Sequence, residues 1–499
     1  MENSKFEEIK EGKDLRTNLI DLKKEIKDEG KKRSLAYELE GDYSVFVDLL
    51  NHQDPKVRKN AALILGEMEC QELTEPLFEA YRREETLFVR SAYLKALEAY
   101  DCQELVPELK ICLEELDTRE VPEEEAKHRR EEAGALQRLL LKQEKQKKHR
   151  FTGFDERLEV ILLTNRQQRD VTAALVEEKE AAERMAMLAG GVRILTSRLR
   201  KVCEIRTWSE MLFPIPGLKH LPEDPGEGAK ELAQPLVRFL KRVHEGSFPF
   251  RFRLELRQKK GNNIDSSYIK RLAAELETAS KRELVNAAGD YEVDLRLLES
   301  RQGGWIPVLK LSTLADRRFL YRSQVIAASI APWNAALFME LARPWLKSGA
   351  QVLDPFCGVG TMLVERAKRM PADPLYGLDI YEEAVQKGRE NAGLAGIPIH
   401  FVNRDALDFK HEYLFDEIVS NMPGIGRTRD KGQILDLYER FLNRLPVLLK
   451  KDGILVLYTP EPEVLRWCLE SHEDLAILKE ALINEREGSR LFVLRYGAV

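Results

Sequence analysis

The sequence predicts a multidomain chain: an all-α N-terminal region, an α+β middle, and a C-terminal α/β domain on a doubly wound parallel sheet. Three observations predict this. Residues 1–150 read as helix almost throughout, with apolar positions at helical spacing. From Phe151 short alternating strands appear between helices, and from Gln351 strand and helix alternate regularly, as parallel sheets require. A length of 499 residues suits about three domains. A composition 43% hydrophobic and 33% charged can bury sizeable cores, which excludes disorder over most of the chain.

In the N-terminal region, Val57-Arg58 to Gly66 and Val89-Arg90 to Leu97 repeat one pattern 32 positions apart. Each follows another apolar helical stretch, and Asp54-Pro55 supplies a helix start, with Asp as cap and Pro in the first turn. Paired helices with small alanines on one face resemble HEAT repeats, which stack because one pair cannot bury its own apolar face. Glu104 to Leu116 and Ala126 to Leu141 offer a third pair. An irregular helical bundle is the alternative reading. The acidic run Glu120 to Glu125 and the basic run Lys142 to Arg150 mark a boundary, giving expected domains 1–148, 149–318 and 319–499.

In the middle, Leu158 to Leu163 predicts a strand, Asp170 to Ala189 a helical stretch, and Gly191 to Leu195 a second strand. A loop over Pro214 to Gly228 precedes a helix over Leu232 to His244. Phe250 to Arg257 alternates apolar and basic residues, as a strand with one buried and one charged face would. A helix over Ser267 to Thr278 and strands over Tyr291 to Leu298 and Trp305 to Leu311 follow. In the last third, strands end at Asp354, Asp379, Asn403, Asn421 and Tyr458, and a final hairpin, Leu475 to Asn484 with Ser489 to Arg495, is appended to the sheet edge.

No run approaches the roughly 18 apolar residues of a membrane span, and Met1 to Glu8 lacks the apolar core of a signal peptide. Cys70, Cys102, Cys112, Cys203, Cys357 and Cys468 are scattered without a CxxC pair or paired His ligands. That usage suits a reducing cytoplasm and offers neither a zinc site nor a disulfide framework. The expectation is therefore a cytoplasmic protein without membrane or metal.

The strongest local signal is Val352-Leu353-Asp354-Pro355-Phe356-Cys357-Gly358-Val359-Gly360-Thr361, a buried strand ending in an acid and a glycine turn. Glycine permits close approach of backbone to ligand. A dinucleotide fingerprint would place another glycine at 363, where Leu363 stands, and no Gly-Lys-Ser/Thr ending follows. A ligand with adenosine but no pyrophosphate fits better. Asp379 ends the next strand, placed to accept both ribose hydroxyls, and Asp405 follows the third strand, placed for an exocyclic adenine amine.

These residues resemble the class I S-adenosylmethionine-dependent methyltransferases. The resemblance implies that cofactor, with Asp354, Phe356, Gly358, Gly360 and Thr361 at its methionine end, Asp379 at its ribose, and Asp405 and Ala406 at its adenine. Ser329, in Ala328 to Asn334, resembles the entry into such catalytic domains beside the methionine end.

After the fourth strand, Ser420-Asn421-Met422-Pro423-Gly424-Ile425-Gly426-Arg427 resembles the Asn/Asp-Pro-Pro-aromatic loop of amino-methyltransferases, and Asn421 also counts among the expected cofactor contacts. An exocyclic base amine is a poor nucleophile because its lone pair is delocalised into the ring. An Asn oxygen and a backbone carbonyl accepting its N–H groups stabilise the charge that develops on nitrogen, and an aromatic wall orients the extruded base. Asn421, Pro423 and Arg427 match the catalytic pattern, and Met422 replaces the first proline, as in Asn-Leu-Pro loops of certain tRNA enzymes. Gly424 stands where the aromatic belongs, with Tyr438 or Phe356 as substitutes.

Phe151 to Phe154, Arg206 to Phe213 and Phe250 to Leu311 are similar to the THUMP-containing half of tRNA guanine-N2 methyltransferases. The resemblance implies structured RNA as partner, tRNA first, held through backbone and shape. Candidate contacts are Arg251, Arg253, Arg257, Lys259, Lys260, Lys270 and Arg271. The HEAT-like region implies a protein partner. A weakened RNA-binding scaffold that keeps the cofactor fold, and methylation of ribosomal RNA, stay open on the same residues. The net charge of −6 alone argues against nucleic acid. By region, however, residues 1–150 hold 28 basic and 35 acidic side chains, 151–350 hold 32 and 26, and 351–499 hold 19 and 24. The basic excess lies in the middle.

Overall fold

The computed structural model describes residues 5–497 apart from 69, 119–121, 123–124, 144–147, 247–248, 259–265, 288, 328 and 427–428. The chain divides into two compact units: Met1–Lys148 with Lys270–Asn286, and His149–Ile269 with Ala287–Val499. Among the described residues, no helix is long and apolar enough to cross a membrane.

The first unit is helical. Helices Leu15–Glu25, Pro55–Leu65, Leu87–Leu97 and Ala126–Gln143 pack in succession, burying Leu19, Ile64, Leu94 and Leu139 in one core. Asp54 caps its helix by accepting from Lys56 N at 2.8 Å, with Pro55 in the first turn. The structure explains the repeated Val-Arg pair. Arg58 binds Glu84 through two nitrogens at 2.8 and 2.7 Å and donates to the His52 carbonyl. Arg90 makes the corresponding bonds one repeat later, to buried Glu132 at 2.6 Å and the Glu84 carbonyl at 2.7 Å. Each valine faces the core while its arginine ties one helical pair to the next.

The second unit contains two large sheets and a two-stranded pair, Arg150–Phe151 with His244–Glu245. In its first part the strands are β1 (Leu158–Thr164), β2 (Arg184–Leu188), β3 (Gly191–Thr196), β4 (Trp208–Pro214), β5 (Phe250–Arg257), β6 (Val293–Glu299) and β7 (Trp305–Leu311). They lie in the order β2-β3-β1-β4-β7-β6-β5, with only β5 and β6 parallel among the neighbouring pairs. The helical stretch expected over Asp170 to Ala189 proves half as long. The helix ends at Glu178, Glu180 adopts φ 49°, and residues 184–188 pair with β3 as a hairpin through Gly190-Gly191. The expected loop over Pro214 to Gly228 is likewise shortened. Asp224 accepts from Glu227 N at 2.9 Å and starts a helix at Pro225, repeating the Asp-Pro start of residue 54.

The C-terminal sheet comprises β8 (Ala350–Asp354), β9 (Ala372–Asp379), β10 (His400–Asn403), β11 (Phe415–Asn421), β12 (Leu449–Thr459), β13 (Leu475–Asn484) and β14 (Ser489–Tyr496). Its order is β10-β9-β8-β11-β12-β14-β13, with β8 to β12 parallel. The final hairpin joins antiparallel, and its second strand, not its first, lies against β12. Val352, Leu353, Ile418, Val419 and Val456 are shielded on both faces, each such side chain contributing roughly 1.5–3 kcal/mol by burial.

Behind the sheet, Arg366 and Glu417 are fully buried and joined by bonds of 2.6 and 3.0 Å. The guanidinium also donates to the Met370 and Lys347 carbonyls, and Lys347 N donates to Glu417. Satisfaction of all these groups lets a charged pair sit inside the fold. Glu417→Ala leaves the arginine unpaired and is expected to cost about 3–5 kcal/mol, checked by urea unfolding. Glu417→Met with Arg366→Met should restore most of that loss.

Candidate active site and cofactor pocket

Parallel pairing brings the ends of β8, β9, β10 and β11 to one sheet edge, where a cavity of about 720 Å³ opens. Its lining includes Ser329, Asp354, Phe356, Gly358, Thr361, Asp379, Asp405, Ala406, Asn421 and Pro423. Gly360 supports the turn from behind.

The turn is built from local chemistry. Gly358 and Gly360 adopt φ 52° and 77°, the left-handed region that costs other residues strain. A Cβ on Gly360 would also fall 2.7 Å from the Phe401 ring. Asp379 ties the turn to β9, accepting from Gly358 N at 3.0 Å and Tyr381 N at 2.8 Å. Each carboxylate oxygen retains acceptor capacity beyond those bonds. Asp405 accepts from Leu407 N at 2.9 Å and stays exposed, while Ala406 beneath it is buried. Ser329 accepts from Ile326 N at 2.9 Å, closing a turn at the rim.

Asp354 is 1% exposed. Its Oδ1 accepts from Ser420 Oγ at 2.7 Å and Phe356 N at 3.1 Å. Its Oδ2, like Thr361 Oγ1, is buried without a hydrogen-bond partner among the described residues. Burial, with a smaller contribution from the Asp379 charge, pushes the Asp354 carboxyl up to about 7. Burial also pushes the neighbouring Cys357 thiol well up, so it stays protonated. A cationic amine entering the cavity would give both orphaned oxygens a partner. An adenosine ligand with a methionine tail, S-adenosylmethionine, therefore fits this donor set.

Asn421 ends β11 half-buried at the cavity. Met422 is buried, and its N–H continues the ladder to the Tyr458 carbonyl at 2.8 Å. The Pro423 carbonyl accepts from Tyr438 Oη at 2.7 Å. Tyr438 is fully buried, and its oxygen also bonds Thr459 Oγ1 at 2.8 Å. It therefore holds the loop and cannot stack a base. Phe356 does line the cavity, although its ring packs edge-on against Phe441 at 5.5 Å. Arg427 lies outside the described residues.

The candidate RNA contacts separate. Arg251 is a correction: its side chain turns inward, pairing with Asp290 at 2.5 Å and lying 3.7 Å from Glu292. Those acids, just before the strand that pairs with β5, enclose it and leave it 9% exposed. Arg253 is half-exposed, stacked on Tyr291 and paired with Asp294. Arg257 is exposed beside Glu255. Lys270 and Arg271 are exposed in the first unit. Lys259 and Lys260 lie outside the described residues.

Sequence reasoning missed Ile326, Tyr381, Ile425, Arg429, Tyr458 and Pro460, which also line the cavity. The rule that located the acids applies equally to Tyr458 and Pro460, since both stand at the carboxyl end of a parallel strand.

Known proteins share this arrangement. Residues 320–484 match the RMKL-like methyltransferase domain family, and residues 43–126 match HEAT repeats. The chain is 30% identical over 251 residues to the tRNA (guanine(6)-N2)-methyltransferase of Thermus thermophilus, covering 49% of this chain and 72% of that relative. It is 31% identical over 160 residues to the U6 snRNA (guanine-N(2))-methyltransferase THUMPD2 of Bos taurus, covering 31% of this chain but only 29% of that protein. In fold, it superposes on TrmN from Thermus thermophilus with a TM-score of 0.53 at 22% identity, covering 68% of this chain and 99% of the other.

Asp354 gives a pH test. Its folded pKa is raised, so the apo protein takes up a proton there below about 7, and a cationic ligand must displace it. Calorimetry with S-adenosylhomocysteine should show a flat dissociation constant above pH 7.5 and a rise approaching tenfold per unit below about pH 7. Asp354→Asn should bind weakly and without that slope.

Proposed function

The chain belongs to the S-adenosylmethionine-dependent RNA guanine-N2 methyltransferase family, and we propose on that premise that it methylates the exocyclic N2 amine of a guanosine in tRNA. The observation that carries this reading is the joint position of Asn421 and Pro423 in the cavity that Asp354, Asp379 and Asp405 also line. When bound there, S-adenosylmethionine supplies an electrophilic methyl group on a sulfonium centre.

The chain's own residues do the positioning. Gly358 and Thr361 admit the methionine end against Asp354, Asp379 takes the ribose, and Asp405 with Ala406 receives the adenine. The Asn421 side-chain oxygen and the Pro423 carbonyl accept the two N–H bonds of the target amine, which rotates its lone pair out of the ring plane. Charge appearing on nitrogen then meets oriented oxygens that need no rearrangement. Tyr438 leaves one acceptor direction of the Pro423 carbonyl for the amine and fixes where it points.

For RNA, a second cavity of about 690 Å³ supports the reading. Arg200, stacked on Phe154, and Arg317 line it, exposed cations suited to RNA phosphates. Arg253, Arg257, Lys270 and Arg271 are the remaining surface candidates for backbone contacts. The relatives' own names, a tRNA enzyme of bacterial source and an snRNA enzyme, point to RNA in common and favour tRNA through the one matched over most of its length.

The test is incubation of the full chain with labelled cofactor and bulk tRNA, followed by nucleoside analysis. N2-methylguanosine is expected, and Asn421→Ala should lower kcat by about 10²–10³-fold. Label in snRNA or ribosomal RNA but not tRNA would reassign the substrate. No transfer to any RNA, with the cofactor bound, would favour a non-catalytic scaffold.

A further inference from the structure

We propose that the Pro460 ring and the Ile425 side chain form the wall against which the target base lies, in place of an aromatic residue at position 424. The inference rests on reading the cavity as a guanine-methylating site.

Gly424 is not simply a lost aromatic. A Cβ built on it would overlap the Pro460 ring at Cγ, inside any ordinary contact distance. Pro460 thus occupies the space a side chain at 424 would need, and glycine lets the loop backbone lie against the proline ring. The surrounding hydrogen bonds hold this contact. Ile425 N donates to Glu461 Oε1 at 3.1 Å, and Glu461 N donates to Thr459 Oγ1 at 2.8 Å. Thr459 in turn bonds Tyr438, which grips the Pro423 carbonyl. Residues 422–425 and 458–461 are therefore laced along their whole length.

Both wall residues face the cavity with Asn421. Ile425 is 47% exposed at its rim, outside either core cluster of this sheet. A large apolar side chain held beside a catalytic amide by backbone bonds gains little from folding. Against a planar base, however, its methyl groups and the proline ring give dispersion contact over one face. The aromatic candidates do not compete for this position: Tyr438 is buried, and Phe356 stands on the strand-end turn that carries Asp354. The apolar element has moved one residue along the loop and gained a partner from the next strand end. Such a wall orients by shape rather than by stacking, and its main effect falls on kcat.

The experiment uses the full chain saturated with S-adenosylhomocysteine, labelled at isoleucine δ1 methyls, and titrated with guanosine monophosphate. A base over Ile425 shifts its methyl signal upfield through the ring current, and Ile425→Val assigns that signal. Pro460→Ala and Ile425→Ser should each weaken nucleotide binding about threefold or more. Both should lower kcat for methyl transfer to bulk tRNA by about tenfold, while KM for RNA and cofactor affinity stay within about twofold. Gly424→Ala should lose stability through the Pro460 overlap. Adding Pro460→Ala, which removes Cγ, should restore stability but not kcat, a split that packing alone would not produce. The wall is overturned if saturating nucleotide leaves the Ile425 signal in place, if no nucleotide binds at millimolar concentration, or if both single variants keep wild-type kcat. An Ile425 shift without transfer to tRNA would instead sink the tRNA reading and leave the wall standing.

Discussion

The buried hydrogen bond from Ser420 Oγ to Asp354 Oδ1, 2.7 Å long, joins the ends of two neighbouring parallel strands. Asp354 begins the glycine turn, and Ser420 precedes Asn421. The acid and the amide that both line the cavity are thus one hydrogen bond and one residue apart. Neither can shift along its strand without breaking this bond and leaving a buried carboxyl with fewer donors, a loss of about 1–3 kcal/mol. The parallel ladder supplies coarse register, and Ser420 sets the fine position. Arg366 and Glu417 do similar work below, since Glu417 lies on the same strand as Ser420 and its partner lies on the helix that follows the glycine turn.

The loop of residues 421–426 illustrates how a departure from an expected motif can be structural in origin. An aromatic at position 424 and a proline at position 460 need the same space. Once Thr459-Pro460-Glu461 supplies the hydrogen bonds that hold residues 422–425, glycine is the residue that fits. Its presence then says nothing by itself about loss of activity.

Legibility in the sequence followed the range of the determining forces. The C-terminal strands and the glycine turn were legible because their patterns are local, and the positions of the three acids because one topological rule brings strand ends together. The repeated arginines at 58 and 90 were visible as a pattern, but their carboxylate partners, 26 and 42 residues distant, were not. Residues 184–188 read as helix because Met185 and Met187 tolerate either state; pairing with β3 decided it. Arg251 failed for a related reason. Alternation along β5 predicts one charged face, yet Asp290 and Glu292 arrive from a distant segment and bury that arginine as a pair. Tyr438 could not be distinguished from a stacking residue until its hydroxyl was seen on the Pro423 carbonyl.

The middle of the second unit is fastened to the catalytic part through Glu365. Arg206 binds it with two nitrogens at 2.8 and 2.7 Å, and Tyr321 Oη donates to it at 2.6 Å. Glu365 is 1% exposed, and it lies one turn into the helix that begins at Gly360. A carboxylate so buried is stable only with all these donors in place, so the contact tolerates little sliding. Asn165 and Gln168 add a second attachment by donating to the Ile483 and Leu482 carbonyls of the final hairpin. Arg343 adds a third by binding Glu178 through two nitrogens. The three donors on Glu365 therefore offset the cost of burying its charge and hold the strand region against the helix that follows the glycine turn.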